Sequence, residues 1–200
     1  MLDSPSDQVT DPIRIIHEAG THLNETVSLM LSFLEIRGQG ERKDSFQAIH
    51  FKTYISELIA GRAGGVLPSS VTLDLEDIQY LGADLDALTQ ILHPIIDNAF
   101  KFDSAHNLRV MVRWIDFKGE PGLRIRISDQ GPGIATEIHH SLFEPFIHAR
   151  PPSDHLPTGR GLGLALAKAI ADSLGWHLAL DRDAKPGATF VLELRARPPQ

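Results

Sequence analysis

Asp129-Gln130-Gly131-Pro132-Gly133-Ile134 sets a carboxylate directly after the alternating apolar run Leu123, Ile125, Ile127. An acid at the end of a buried strand is costly unless something partners it. The two glycines let the main chain turn tightly and let a flat ring approach. Asp129 is then placed to accept a hydrogen bond from an exocyclic amino group such as that of adenine. Asp-x-Gly is also an ordinary strand-end turn, and taken alone the segment admits both readings.

Gly159-Arg160-Gly161-Leu162-Gly163-Leu164 opens an Ala/Leu-rich helical run. Unpaired main-chain N–H groups and the positive end of a helix dipole suit a phosphate there. A flexible helix entry is the alternative, and a lone Gly-x-Gly-x-Gly is weak by itself. The cluster follows a Pro-rich loop, not a strand, which argues against a dinucleotide fingerprint. The chain has no Walker A motif.

Upstream lies Ile95-Ile96-Asp97-Asn98-Ala99-Phe100-Lys101-Phe102. Asn98 is a neutral amide in an apolar helix, and its oxygen suits Mg²⁺, which prefers oxygen ligands and keeps several waters. Lys101, one turn on, is within reach of a phosphate, and Phe102 could pack on a base or ribose. The other reading is a helix end with a solvated Lys and a core Phe. Leu142-Phe143-Glu144-Pro145-Phe146 sits between the glycine segments. It precedes residues 147–158, which carry Pro151, Pro152 and Pro157 and no periodicity. A loop of that length in a compact domain is functional or disordered. Between glycine hinges it reads as a lid, with Phe143 and Phe146 anchoring its base.

The elements that must position these groups follow from periodicity. Residues 1–11 read as disordered. Asp11-Pro12 starts a helix whose apolar residues Ile13, Ile16, Leu23, Val27, Met30, Leu31 and Leu34 recur at helical spacing until Gly38-Gln39-Gly40. Such a stripe needs a second helix to cover it. Ala48 to Phe51 reads as a short strand, followed by a helix through Tyr54, Ile55, Leu58 and Ile59. Val71 to Leu75 alternates as a strand. Asp84 caps a long helix through Ala99. Leu108–Phe117 and Leu123–Ser128 are strands joined by Lys118–Gly122. Gly161 to Leu174 is a helix, and Trp176–Leu180 and Ala188–Leu194 are the last strands. The tail from Arg197 leaves the fold. Late strands with irregularly alternating helices predict an α+β two-layer sandwich, helices on one face of a mixed sheet.

The chain has 200 residues, 42% of them hydrophobic and 22% charged, with a net charge of -7. That balance is ordinary for a globular protein and lacks the basic surface duplex nucleic acid demands. There are no cysteines, which excludes disulfides, thiolate metal sites and a Cys nucleophile and is compatible with a reducing cytoplasm. No apolar run reaches the ~20 residues that span a bilayer.

Taken in order, the four segments resemble the N, G1, F and G2 boxes of sensor histidine kinases, within the wider GHKL (Bergerat) ATP-binding fold. The resemblance covers Phe46 to Leu194 and includes the closing Gly187-Ala188-Thr189-Phe190. It implies an ATP-binding catalytic domain over residues 46–195, a helix like part of a kinase dimerisation hairpin over 12–40, and a tail at 196–200. By that resemblance Asn98 ligates Mg²⁺, Lys101 meets phosphate, Asp129 reads adenine, and Gly159, Gly161 and Gly163 wrap the phosphates with Arg160 and Leu162 between them. Phe102, Gly131, Gly133, Phe143, Phe146 and Thr189 complete the expected nucleotide-binding set. The implied reaction moves the ATP γ-phosphate to a histidine on a helical hairpin of the same or another chain, in a cytoplasmic homodimer that serves a response regulator receiver domain.

Two registers fit the N-terminal helix. Glu18 to Arg37 is similar to the second helix of the dimerisation hairpin, which leaves out the helix that carries the phosphorylated His. Alternatively, His17-Glu18-Ala19-Gly20-Thr21-His22-Leu23-Asn24 resembles the phosphoacceptor motif with His22 where Pro is usual. His17 would then be the acceptor and Glu18 its general base. Four residues before Asn98 the kinases usually carry a second Asn, and hydrolytic relatives carry a Glu that activates water. Here stands Pro94. It cannot activate water, and it admits a catalytically impaired nucleotide-binding regulatory module as the alternative. A serine kinase of the anti-sigma type shares the fold, but the long N-terminal helix argues against it.

Overall fold

A computed structural model describes Gly20, Asn24, residues 26–28, 30–36, 45–76, Ile78, 80–103, 105–147 and 161–198. Strands β1 (Phe46–His50), β2 (Thr72–Asp74), β3 (Tyr80–Asp84), β4 (Arg109–Phe117), β5 (Glu120–Ser128), β6 (His177–Leu180) and β7 (Thr189–Arg195) alternate with helices α1 (Phe51–Arg62), α2 (Leu85–Phe102) and α3 (Gly163–Ser173). The main sheet runs β2-β4-β5-β7-β6; β1 and β3 form a separate antiparallel pair. Only the β2–β4 pairing in the main sheet is parallel, so the sheet is mixed as predicted.

Period-2 alternation decides which face is covered. Val110 and Val112 of β4, Leu123, Ile125 and Ile127 of β5, and Phe190, Leu192 and Leu194 of β7 are all buried. They pack with the apolar stripes of α1, α2 and α3 in one core. The residues between them face outward and pair by charge: Arg124 Nε donates to Glu193 Oε1 at 2.7 Å, and Arg126 Nη2 to Asp181 Oδ2 at 2.5 Å. One face covered by helices and one solvated is the two-layer solution for a largely antiparallel sheet.

Helix α2 is the spine. Asp84 caps it, its Oδ1 accepting from Ala87 N at 3.0 Å while Oδ2 accepts from Ser45 N at 3.0 Å. Ile91, Leu92, Ile95 and Ile96 are at most 1% exposed, each worth about 1.5–3 kcal/mol of burial. Pro94 sits in the helix interior. Gln90, the residue whose carbonyl loses its partner, is exposed, so water can replace the lost bond.

Several boundaries differ from expectation. Phe51 is not the end of a strand: the His50 side chain accepts from Thr53 N at 3.3 Å and starts α1 there, which sends Phe51 into the core. Strand β3 was not expected, since Tyr80-Leu81-Gly82-Ala83-Asp84 lacks clean alternation; it forms by pairing with β1, Phe46 opposite Asp84. The β4–β5 connection is two residues, not five. Lys118 (φ 58°) and Gly119 (φ 84°) are both left-handed, a turn whose twist matches the flanking strands, and Glu120, Pro121 and Gly122 lie inside β5. The tail does not leave at Arg197, which exchanges two main-chain hydrogen bonds of 2.9 Å with Gly82. Residues 30–36 are helical; the expected start of that helix and the extent of its first turns lie outside the described residues.

Candidate nucleotide site

Asp129 continues the inward parity of Leu123, Ile125 and Ile127 by one step past β5, which aims it at the helical layer. Its carboxylate is held on one oxygen: Oδ1 accepts from Gly131 N at 2.9 Å and from Ala188 N at 3.1 Å. Its own N–H donates to Ala188 O at 3.0 Å. Burial pushes the Asp129 carboxyl above its usual range; the bonds from Ala188 and Gly131 pull the other way, and the charge of Asp103 adds to the rise. Among the described residues Oδ2 has no partner, so this oxygen is available to a ligand donor.

The glycine segments close around this acid. A Cβ on Gly131 would stand 3.0 Å from Phe102 O at the end of α2, and one on Gly133 would stand 3.1 Å from Gly187 O. Gly163, the first residue of α3, meets the side chain of Pro94: a Cβ there would be 2.9 Å from Pro94 Cβ. The start of α3 is thereby pressed against the middle of α2. Leu162 precedes the helix, 1% exposed. No side chain among the described residues caps α3. Its first main-chain N–H groups are therefore open to an anion.

Asn98 is half-buried one turn beyond Pro94 on α2, and Lys101 follows one turn later, exposed. Lys101 Nζ lies 4.8 Å from the centroid of the Phe102 ring, and Phe102 is 40% exposed. Partial burial lowers the Lys101 ammonium from its usual value, with Asp97 opposing. Asp97 itself takes a close bond from Arg62 Nη2 of α1, which also donates to His93 Nδ1 at 3.3 Å. Burial, and then Arg62, lower the His93 imidazole, which leaves it the neutral acceptor this bond requires.

The Phe segment bridges the layers. Phe143 meets Phe190 of β7 edge-on, ring centroids 6.3 Å apart. Phe146 is 51% exposed and has φ 66°; it serves through its main chain, its N–H donating to Gly161 O at 2.9 Å. Gly161 has φ 65°, and a Cβ on it would lie 2.8 Å from the Phe146 carbonyl carbon. The two ends of segment 147–160 are thus held together. Thr189 is 3% exposed and its hydroxyl donates to Ser128 Oγ at 2.8 Å. It adjoins the site through its neighbour Ala188.

Asn98, Lys101, Phe102, Asp129, Gly131, Gly133, Phe143, Phe146, Gly161, Leu162, Gly163 and Thr189 are therefore gathered around the end of α2, the start of α3 and the β5 terminus. His17, Glu18, Gly159 and Arg160 lie outside the described residues. One buried acid escaped sequence reasoning. Asp103, 6% exposed, follows the last residue of α2 and accepts from Ala105 N, Asn107 N and Gln130 N at 3.0, 3.0 and 3.2 Å. An Asp where a helix must stop is a turn former, and that signal was present.

Mg²⁺ can be tested against the donors present. Among the described residues no group of three His, Cys, Asp or Glu could hold a metal. The half-buried Asn98 amide fits an ion that relies mainly on phosphate oxygens and water.

Residues 83–198 match the family described as histidine kinase-, DNA gyrase B-, and HSP90-like ATPase. The sensor histidine kinase AruS of Pseudomonas aeruginosa is 33% identical over 108 residues, 54% of this chain and 11% of that protein. The histidine protein kinase DivJ of Caulobacter vibrioides is 29% identical over 203 residues, 97% of this chain and 32% of that protein. Full-length ShkA, solved in complex with AMPPNP, superposes with a TM-score of 0.71 at 22% identity, covering 98% of this chain and 41% of that one. Its fold is the same. The chain spans between 8% and 36% of the length of these and other curated relatives it matches. The chain belongs to the histidine kinase-, DNA gyrase B- and HSP90-like ATPase family, and it carries the ATP-binding catalytic domain of the sensor histidine kinases.

Proposed function

We propose that this domain binds ATP with Mg²⁺ and hands the γ-phosphate to a histidine on a helical hairpin of its own or another chain. The observation that carries this reading is Asp129, fixed through Oδ1 with Oδ2 left for the adenine amino group. Lys101 and the N-terminus of α3 take the phosphates, and Gly159, Arg160, Gly161, Leu162 and Gly163 are the residues assigned to wrap them. Asn98 holds the magnesium, which when bound neutralises charge on the phosphate oxygens. A nitrogen of the acceptor imidazole attacks the γ-phosphorus in line, the bond to the β–γ bridging oxygen breaks, and ADP leaves with that electron pair. The protein contributes position and charge, not covalent chemistry. Phosphoryl transfer onward to the receiver domain of a response regulator completes the proposed relay.

Val27, Met30, Leu31 and Leu34, spaced along one helical face, are each 42–55% exposed, which supports a homodimeric hairpin as their cover. His17 with Glu18 as general base is the acceptor in one register; a His on the partner helix of the hairpin is the acceptor in the other. Among the described residues no helix is long and apolar enough to cross a membrane, in keeping with a cytoplasmic site of action. Pro94 in place of the usual Asn supports a second reading, a nucleotide-sensing module without transfer.

Incubation with γ-labelled ATP and a histidine-bearing hairpin tests the proposal. Acid-labile, base-stable label on the hairpin is expected. Tight ATP binding with no phosphohistidine on any hairpin would favour the second reading.

A further inference from the structure

Asp103 stands just past the last residue of α2 and is buried, yet it belongs to no segment that the family resemblance assigns. Its Oδ1 accepts from Ala105 N, and its Oδ2 accepts from Asn107 N and, across the fold, from Gln130 N. Gln130 is the residue after Asp129. The turn that presents Asp129 is therefore held from two sides. On the β7 side, Asp129 itself accepts from Ala188 N. On the α2 side, Asp103 grips the next peptide.

A buried carboxylate needs such partners to stay charged, and three main-chain donors supply them. Burial raises the proton affinity of Asp129, and the nearby Asp103 charge adds to that rise. The charged or titratable side chains that line one small pocket with Asp129 are Asp103 and His106, both from the stretch after α2. The β7 side faces it with the main chain of Gly187 and Ala188.

We infer that Asp103 is a positioning residue for nucleotide recognition. It ties the end of the Asn98 helix to the Asp129 turn, and its carboxylate shares a pocket with that of Asp129. The inference rests on the reading of Asp129 as the adenine acceptor. It makes the two ends of the pocket, metal-side helix and base-side acid, one mechanical unit.

The test is ATP affinity by calorimetry on the full chain from about pH 5 to 8, with thermal melts alongside. Wild type is compared with Asp103→Asn and Asp103→Ala, and with His106→Gln as a control at another polar side chain of the pocket. Asp103→Ala is expected to bind ATP about tenfold or more weakly near pH 7.5, since it frees the Gln130 peptide. In both Asp103 variants the pH below which affinity falls should move down, because the neighbouring negative charge is gone. A merely structural role would lower the melting temperature and leave that midpoint in place. If affinity stays within about twofold of wild type and the midpoint does not move, the inference is overturned. Should Asp103→Ala fail to fold, Asp103→Asn, which keeps one acceptor oxygen, carries both readouts. A wild-type chain that binds no ATP would instead remove the reading beneath it.

Discussion

Pro94 of α2 and Gly163 of α3 are a size-matched pair. A methyl group on Gly163 would stand 2.9 Å from Pro94 Cβ, closer than packed carbons tolerate. Pro94 is thus the surface against which α3 begins. Its ring packs against the first residue of α3.

Gly163→Ala is therefore expected to destabilise the fold by about 1–3 kcal/mol through overpacking and to weaken ATP binding. Pro94→Gly removes the opposing Cβ together with the rest of the ring and restores an N–H for Gln90. The double variant should recover most of the loss, and urea unfolding of the four proteins in the cycle reads the coupling. Additive losses would mean the two side chains do not meet.

Asp129→Asn separates function from stability. Burial raises the Asp129 carboxyl, so its ionised form costs folding stability at neutral pH. A raised acid contributes stability that is complete below its unfolded value and lost as pH rises through its folded value. The neutral amide keeps an oxygen for Gly131 N and Ala188 N. The nucleotide-free variant should melt at the same temperature or higher. ATP affinity should fall about tenfold or more, the cost of a charged acceptor. A variant that binds ATP as the wild type does would remove Asp129 from the site.

In the wild type, ATP affinity should hold at neutral pH and fall as pH drops through the raised Asp129 value, because the protonated carboxyl no longer carries the charge that attracts the amino group. A titration of ATP affinity against pH, repeated with a nucleotide lacking the amino group, checks the sign. The analogue should show the weaker dependence.

Lys101→Met tests the phosphate end. Lys101 is exposed at the end of α2, and its replacement should weaken ATP about tenfold while leaving adenosine nearly unchanged. Equal losses for both ligands would place Lys101 in folding and not in phosphate recognition.

Asp84→Ala tests the spine. Asp84 is 4% exposed and its two oxygens accept from Ala87 N and Ser45 N. Loss of the cap should cost about 1–2 kcal/mol, read by denaturant unfolding. Tyr54→Phe offers a contrast. Thr89 Oγ1 already donates to Leu85 O, so the phenol donates to Thr89 at 3.0 Å, and burial pushes the phenol up to about 12. Its removal should cost no more than about 1 kcal/mol.

What the sequence determined by itself is what local periodicity and local chemistry encode. The 3.6-residue stripe of α2, the Asp84 cap, the alternation of β5 and the order of the four glycine, Asn and Phe segments need no partner to be recognised. They predict a two-layer α+β domain and single out the acid that follows β5. Tertiary structure alone decided which distant atoms touch. Strand β3 exists because β1 lies beside it, Arg197 stays in the fold because Gly82 offers two main-chain partners, and Pro94 is accommodated because Gly163 lacks a side chain. Asp103 is polar in sequence and buried in space, held there in part by a peptide two strands further along the chain. Contacts of that kind depend on how the layers close, and a residue carries no local mark of the partner it will meet.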